Sequence, residues 1–196
     1  MISAATAPLA DFPAPGKLPA GEPALVIPGH RLRPCRGADL PFLRRLYRHS
    51  RAAEMDATGW PEEMKRAFCR QQFDAQHTDY MRRFPTAEYW LILQRSDPVG
   101  RVYMDRSGPD IHLIDISVLP SHRGRGLGTS VLRALQGLAV ARVCAVVLSV
   151  AHGNHRAAAL YFGQGFVPVS NDSTHRRLRW EPASEVPPEA PPIGGA

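Results

Sequence analysis

A chain of 196 residues is long enough for one domain of ordinary size, and 44% hydrophobic against 21% charged residues excludes a disordered or fibrous protein. The formal net charge of +6 points toward polyanions. Yet the arginines are scattered, lysine occurs only at Lys17 and Lys65, and no basic helix or aromatic platform accompanies them, so nucleic acid is not an expected partner.

Cysteines stand only at Cys35, Cys69 and Cys144, an odd number without Cys-x-x-Cys spacing, which argues against a disulfide framework or a zinc ribbon. No metal site is expected. The weighting toward Ala, Arg and Pro is that of a GC-rich bacterial genome. No apolar run approaches the roughly 18 residues of a membrane span. The N-terminus lacks the basic-then-apolar order of a signal peptide, so the cytoplasm is the expected compartment.

In chain order, residues 1–29 are rich in Pro and Ala without sustained periodicity and read as a disordered tail outside the core. Residues 30–181 read as a single domain, and 182–196 as a second Pro-rich tail. Arg31–Pro34 is a short first strand, and Asp39 is placed to cap a helix whose apolar face is Leu40, Leu43, Leu46 and Tyr47. His49 to Pro61 reads as a loop, and Pro61 to Arg83 as one or two helices stopped at Phe84-Pro85. Glu88–Gln94 is a strand, Asp97-Pro98 a turn, and Val99–Met104 its hairpin partner.

Ile111–Leu119 follows as a buried strand ended by Pro120, which has no N–H for a ladder. A helix from Leu127 to Val140, a strand from Val143 to Val150, a short helix Ala157–Gly163, and strands over Phe166–Val169 and through Leu178 and Trp180 complete the chain. The order β-α-α-β-β-β-α-β-α-β-β predicts an α/β fold with a mixed central sheet flanked by helices.

Between the strand ending at Leu119 and the helix beginning at Leu127 lies Arg123-Gly124-Arg125-Gly126-Leu127-Gly128. Glycines at a strand–loop–helix junction let backbone approach a ligand closely. The helix start adds free N–H donors and the positive end of its dipole, which together make an anion site suited to a phosphate. A Walker A loop is excluded because no lysine is present, and a dinucleotide fingerprint because the sixth position from Gly124 is Thr129. Downstream, the apolar strand Val146–Val150 is followed by Gly153-Asn154, by Ala157-Ala158-Ala159-Leu160-Tyr161-Phe162, and by Gly165-Phe166.

The spacing Arg-x-x-Gly-x-Gly resembles the acyl-CoA signature of the Gcn5-related N-acetyltransferase (GNAT) superfamily, and the second stretch resembles the other half of that core. The resemblance covers roughly Arg31 to Trp180 and is strongest from Asp110 to Val167. It implies an acetyl-CoA-dependent N-acetyltransferase that moves an acetyl group directly to a primary amine in a ternary complex. The pyrophosphate would be wrapped by Arg123, Gly124, Arg125, Gly126, Leu127, Gly128 and Thr129. The arm of the coenzyme would lie along Ile116, Ser117 and Val118, with an N–H near Val118 on the acetyl oxygen, and Asn154, Ala158 and Tyr161 would reach it from the other side. The acceptor would be a small-molecule or peptide amine, and the enzyme a monomer or homodimer.

Acetyl transfer to an amine needs a base for the amine, a polarised thioester carbonyl and a proton for the leaving sulfur. The resemblance implies Tyr161 as the acid, a phenol with a reference pKa of about 10; the alternative is a helix tyrosine that packs on the sheet. For the base there are two candidates. His112 stands where several family members have a Glu, and imidazole can serve near neutral pH directly or through water. Asp115 is a carboxylate in an apolar run and needs a partner or a purpose. His112 can equally be a solvated strand residue and Asp115 a buried anchor. By strict alternation His112 shares a face with Ile114 and Ile116, and Asp115 with Leu113 and Ser117; a bulge of the kind the family often carries there would rearrange the second half. For the acceptor, Glu54, Asp56 and Trp60 in the loop after the first helix offer negative charge beside apolar surface for a cationic amine, or form a solvated loop. A non-catalytic acyl-CoA-binding or regulatory module is the alternative to an enzyme.

Overall fold

The computed structural model describes residues 9–14 and 22–183. Its elements are β1 (Arg31–Pro34), α1 (Leu40–Ser50), α2 (Ala52–Asp56), α3 (Glu62–Arg83), β2 (Glu88–Gln94), β3 (Asp97–Asp105), β4 (Ile111–Val118), α4 (Leu127–Arg142), β5 (Val146–Ala151), α5 (His155–Gly163), β6 (Val167–Asn171) and β7 (His175–Trp180). The strands form one mixed sheet in the order β1-β2-β3-β4-β5-β7-β6. Every neighbouring pair is antiparallel except β4 and β5. That exception follows from connectivity, since α4 carries the chain back across the sheet between them, as parallel strands require.

The sheet is covered on both faces. On one, Val131, Leu132, Leu135 and Leu138 of α4 and Tyr161 of α5 pack on Val102, Met104, Ile111, Leu113, Val146 and Leu148. On the other, Leu43 and Tyr47 of α1 and Cys69 and Phe73 of α3 pack on Leu91, Leu93 and Tyr103. The α3 residues buried here, Cys69, Phe73 and His77, recur every four positions, so one stripe of a long and otherwise polar helix seals this face. Tyr89 on β2 closes the end of α3 by donating its hydroxyl to the carbonyls of Tyr80 (3.0 Å) and Phe84 (2.9 Å).

Four details depart from the reading of the sequence. The expected loop from His49 to Pro61 contains the short helix α2, whose Met55 is buried against α1 and α3. Asp39 does sit at the helix start, but its carboxylate turns back to accept from the Arg36 N–H (2.8 Å) and from the Arg33 guanidinium (3.0 and 2.7 Å). The β2–β3 turn falls at Arg95-Ser96, with Arg95 at φ 56°, and Asp97-Pro98 belongs to the strand. Val143 ends α4 in the left-handed region at φ 51°, which delays β5 to Val146.

Within the N-terminal stretch expected outside the core, the described residues 9–14 and 22–29 pack on it instead, on both faces. Leu25 and Ile27, 7% and 1% exposed, belong to the α4-side core. Phe12 lies edge-on to His77 (4.8 Å) and against Tyr89 (5.5 Å), while Ala10 O meets His77 Nε2 at 2.7 Å. The Arg106 side chain ties the segment further, bridging Glu88 (2.6 Å) and Glu22 (3.4 Å). The expected C-terminal tail from residue 182 lies almost wholly outside the described residues. Among those residues no helix is long and apolar enough to cross a membrane.

Ile27 therefore contributes as a core residue. Ile27→Ala is expected to cost about 2–5 kcal/mol of unfolding free energy in urea melts; a loss below about 0.5 kcal/mol, the size of an ordinary surface substitution, would contradict its packing.

Candidate active site

The central feature is a parting of strands. β4 and β5 are in register only at Ile111↔Val146, His112↔Val147 and Leu113↔Leu148. Beyond Leu113, β4 continues to Val118 against β3 alone, while β5 continues to Ala151 against β7. The β4 edge that faced β5 is left without a strand. Leu119 N–H donates to Val99 O on β3 (2.9 Å), so by alternation the Val118 N–H points to the open edge.

Just past the parting β4 bulges. Met104 pairs with Leu113 but Tyr103 with Asp115, so Ile114 is the extra residue. This corrects the strict alternation: His112, Ile114, Asp115 and Ser117 lie toward α1 and α3, while Leu113, Ile116 and Val118 lie toward α4. The two candidate bases thus share one face.

Asp115 is fully engaged. Its oxygens accept from Arg101 Nε (2.9 Å) and Nη2 (3.0 Å), and Oδ1 also accepts from Ser117 Oγ (3.1 Å). Arg101 is only 2% exposed; it also donates to Gln76 (3.0 Å) and lies over the rings of Tyr103 (4.9 Å) and Phe73 (5.8 Å). The bulge is therefore fastened by a buried bidentate ion pair, the anchor role open to Asp115 in the sequence. Arg101 was missed there, although a lone arginine in the apolar run Val99–Met104 is a signal of the same kind as Asp115.

His112 has its ring edge-on to Phe84 (5.4 Å) and makes no side-chain hydrogen bond among the described residues. Burial pushes its imidazole below the ordinary range; the nearby Arg177 and Arg83 guanidiniums act the same way, and Asp105 opposes them. On α5, which follows β5, Tyr161 is buried in the α4-side core against Phe166 (5.9 Å). Burial, with the Asp115 carboxylate second, pushes its phenol above the ordinary range, so it holds its proton at neutral pH.

At the far end of β4 the glycine loop leads into α4. Gly124 and Gly126 have φ of 73° and 82°, a region that disfavours side chains, and a Cβ on either would meet open space. Among the described residues, none of the backbone N–H groups from Gly124 to Thr129 finds a protein acceptor. These unpaired donors at the positive end of a 16-residue helix fit a pyrophosphate. Arg123 is held over the loop by donation from Nε to Val118 O (2.8 Å), while Arg125 is exposed. Leu127 is buried in the core, and Gly128 faces Leu160, where a Cβ would come within 3.0 Å; this glycine sets the approach of α5 to α4.

The remaining expected residues are more dispersed. Asn154 caps α5, accepting from Ala157 N–H (3.2 Å). Ala158 lines a cavity of about 310 Å³ on the flank of α5, with His155, Phe162 and Arg176. A cavity of about 600 Å³ opens between Arg45, Arg95, Leu119 and His122, beside the loop and away from Tyr161. Glu54 is exposed and paired with Arg51 (2.6 Å), Asp56 with Lys65 (3.2 Å), and Trp60 stands edge-on to Phe68 (5.5 Å). The two carboxylates are neutralised locally. Among the described residues no group of three His, Cys, Asp or Glu side chains is arranged to hold a metal.

Comparison with known proteins agrees with the fold. The sequence profile described as "Acetyltransferase (GNAT) family" matches residues 44–166, more than half of the chain. Among solved structures, PaiA N-acetyltransferase from Thermoplasma acidophilum in complex with coenzyme A is similar at TM-score 0.59 and 16% identity, over 78% of this chain and 98% of that one. An acetyltransferase from Thermus thermophilus is similar at TM-score 0.58 and 22% identity, over 79% and 98%. Ard1 from Thermoplasma volcanium is similar at TM-score 0.54 and 16% identity, over 80% and 99%. At these identities the likeness is one of fold. No curated protein matches the sequence.

The Arg101–Asp115 pair is testable alone. Arg101→Met should cost about 3–5 kcal/mol by leaving a buried carboxylate unpaired, and Arg101→Met/Asp115→Leu should recover part of that loss. Additive losses in chemical denaturation would show that the two side chains act independently.

Proposed function

The chain belongs to the Acetyltransferase (GNAT) family, and from that premise we propose that it is an acetyl-CoA-dependent N-acetyltransferase acting on a primary amine in a ternary complex. Family membership supports acetyl-CoA-dependent acetyl transfer in general. The observation that carries the finer reading is the open edge of β4 past the parting, which leads into the unpaired N–H row at the start of α4, with Tyr161 near enough to Asp115 on that strand for the carboxylate to act on its phenol. The reading takes residues 30–181 as the catalytic domain, with residues 9–14 and 22–29 packed on it, acting in the cytoplasm as a monomer or homodimer.

When bound, acetyl-CoA supplies an already activated thioester. In this reading the backbone of Gly124 to Thr129, with Arg123 and Arg125, holds the pyrophosphate. Ile116, Ser117 and Val118 line the coenzyme arm on one side, and Asn154 and Ala158 on the other. The Ile116 N–H, on the same open edge by alternation and nearer the bulge, polarises the carbonyl, while that of Val118 faces the coenzyme arm. His112 takes the amine proton, directly or through water, because its imidazole is neutral at pH 7 and uncommitted. Asp115, bound to Arg101, holds the strand instead of moving a proton. As the amine nitrogen bonds to the carbonyl carbon and the carbon–sulfur bond breaks, Tyr161 gives its hydroxyl proton to the departing sulfur.

Acetyl-CoA at a hundred times Kd should raise stability by about 2.7 kcal/mol. Gly126→Glu, which sets a side chain at positive φ and a negative charge among the N–H donors, should abolish that shift, while Gly137→Ala on the exposed face of α4 should keep it. Absence of stabilisation by millimolar acetyl-CoA in the unmodified protein would defeat the reading.

Tyr161→Phe should leave coenzyme affinity almost unchanged and lower kcat by about 10²–10⁴, roughly 3–5 kcal/mol at the barrier. Coenzyme binding without thiol release across a panel of amines would instead favour a non-catalytic module. With His112 as base, the acidic limb of kcat/KM should lie below the reference imidazole value of about 6.5, because only the neutral ring accepts a proton. His112→Ala should remove that limb; an unchanged profile would assign proton removal to water.

A further inference from the structure

The acidic side chains expected to hold a cationic acceptor are each paired with a neighbouring cation. Charge at the acceptor side of the parting has another source. In the antiparallel β5–β7 pair, Leu148 lies opposite Leu178 and Ser149 opposite Arg177. Leu148 and Leu178 point into the α4-side core, so Ser149 and Arg177 point to the other face, the one that carries His112 and Asp115. Ser149 is the first β5 residue beyond the register shared with β4, so Arg177 stands level with the opening. At about 4.8 Å per strand, two strand spacings put it roughly 10 Å from β4.

Its neighbours are all engaged. Arg179 pairs with Asp110 (2.5 Å) and Glu181 (2.7 Å), Arg83 with Asp79 (3.4 Å), and Arg101 with Asp115 (2.9 Å). Arg177 is exposed and has neither ion pair nor hydrogen bond among the described residues. Its field nonetheless reaches the candidate base, since it is one of the groups holding the His112 imidazole low. A guanidinium offers a planar fork matched to a carboxylate.

We propose that Arg177 is a specificity residue that binds a carboxylate on the acceptor, so that the substrate is an amine carrying a carboxylate, not a polycationic amine. This rests on the acetyltransferase reading above. The carboxylate would dock at the β5–β7 side of the opening while the amine reaches the thioester beside β4. A polyamine would meet a cation there; Asp115 is already spent on Arg101, and Asp105, the other carboxylate acting on His112, sits on β3, on the far side of β4 from Arg177.

The test measures acetyl-CoA-dependent thiol release with matched acceptors: phenylalanine against phenethylamine, leucine against isoamylamine, a dipeptide against its C-terminal amide, and spermidine. The free amino acids and the dipeptide distinguish a small acceptor from a peptide terminus. The unmodified protein should prefer each acid over its partner lacking the carboxylate by about tenfold or more in kcat/KM, with spermidine poorest. Arg177→Ala should bring the ratio within each pair close to one, chiefly through KM, and Arg177→Lys should restore part of it. The thermal shift with acetyl-CoA should be the same in all three proteins. Equal rates within the pairs, or a preference that survives Arg177→Ala, would overturn the assignment while leaving the acetyltransferase reading intact. Stabilisation by acetyl-CoA with no thiol release from any acceptor would overturn both.

Discussion

The geometry of the site depends on a buried bond between two charges, Arg101 and Asp115. Either group alone at that depth would cost several kcal/mol. Together they are neutral, bidentate and completed by Gln76, Ser117 and two aromatic faces. The bond crosses from β3 to β4 where Ile114 is extruded, and so fixes which way every later β4 side chain points. Gly100 serves the same junction from β3, since a Cβ there would lie 2.6 Å from the Ser117 carbonyl. Rigid attachment to β3 is what lets β4 give up β5 without losing its shape.

The other end of β4 is governed by repulsion. Burial lowers the His49 imidazole, and Arg48, Arg123 and Arg45 add to the effect; Arg123 is in turn lowered by burial and by Arg156. Cations from α1, the glycine loop and α5 are thus gathered within each other's fields. Such a grouping is unfavourable in isolation and is relieved by an anion brought among them. The helix start contributes to the same field through its unpaired N–H groups.

Much of this was legible because the deciding signals are local. Glycine spacing at the start of α4, the proline after β4 and the apolar periodicity of α4 each follow from backbone constraints acting over a few residues. The bulge was not fixed by any such signal: Ile114 and Asp115 are as acceptable to a regular strand as to a bulged one, and the pairing with β3 decides between them. Asp115 announced that it needed a partner, but its partner fourteen positions earlier could be found only in three dimensions. Composition also misread the N-terminal segment, because prolines say what a backbone cannot form and nothing about where Phe12, Leu25 and Ile27 will lodge. Glu54 and Asp56 looked available for a ligand because their pairing with Arg51 and Lys65 depends on α2 being a helix instead of a loop.

The lodging of those early residues bears on how the chain reaches its fold. Ala10 meets His77 across 67 positions, Pro23 meets Arg106 across 83, and Glu22 reaches Arg142 at the end of α4. Contacts of such span close large loops and form late, after helices and hairpins have assembled. Leu25 and Ile27, which precede α4 in the chain, must wait for it to be made before their own places exist. Until then Leu25 and Ile27 remain in solvent, as does Phe12 until α3, β2 and β3 are in place, and the hydrophobic surfaces they cover on the two faces of the sheet remain open to other chains.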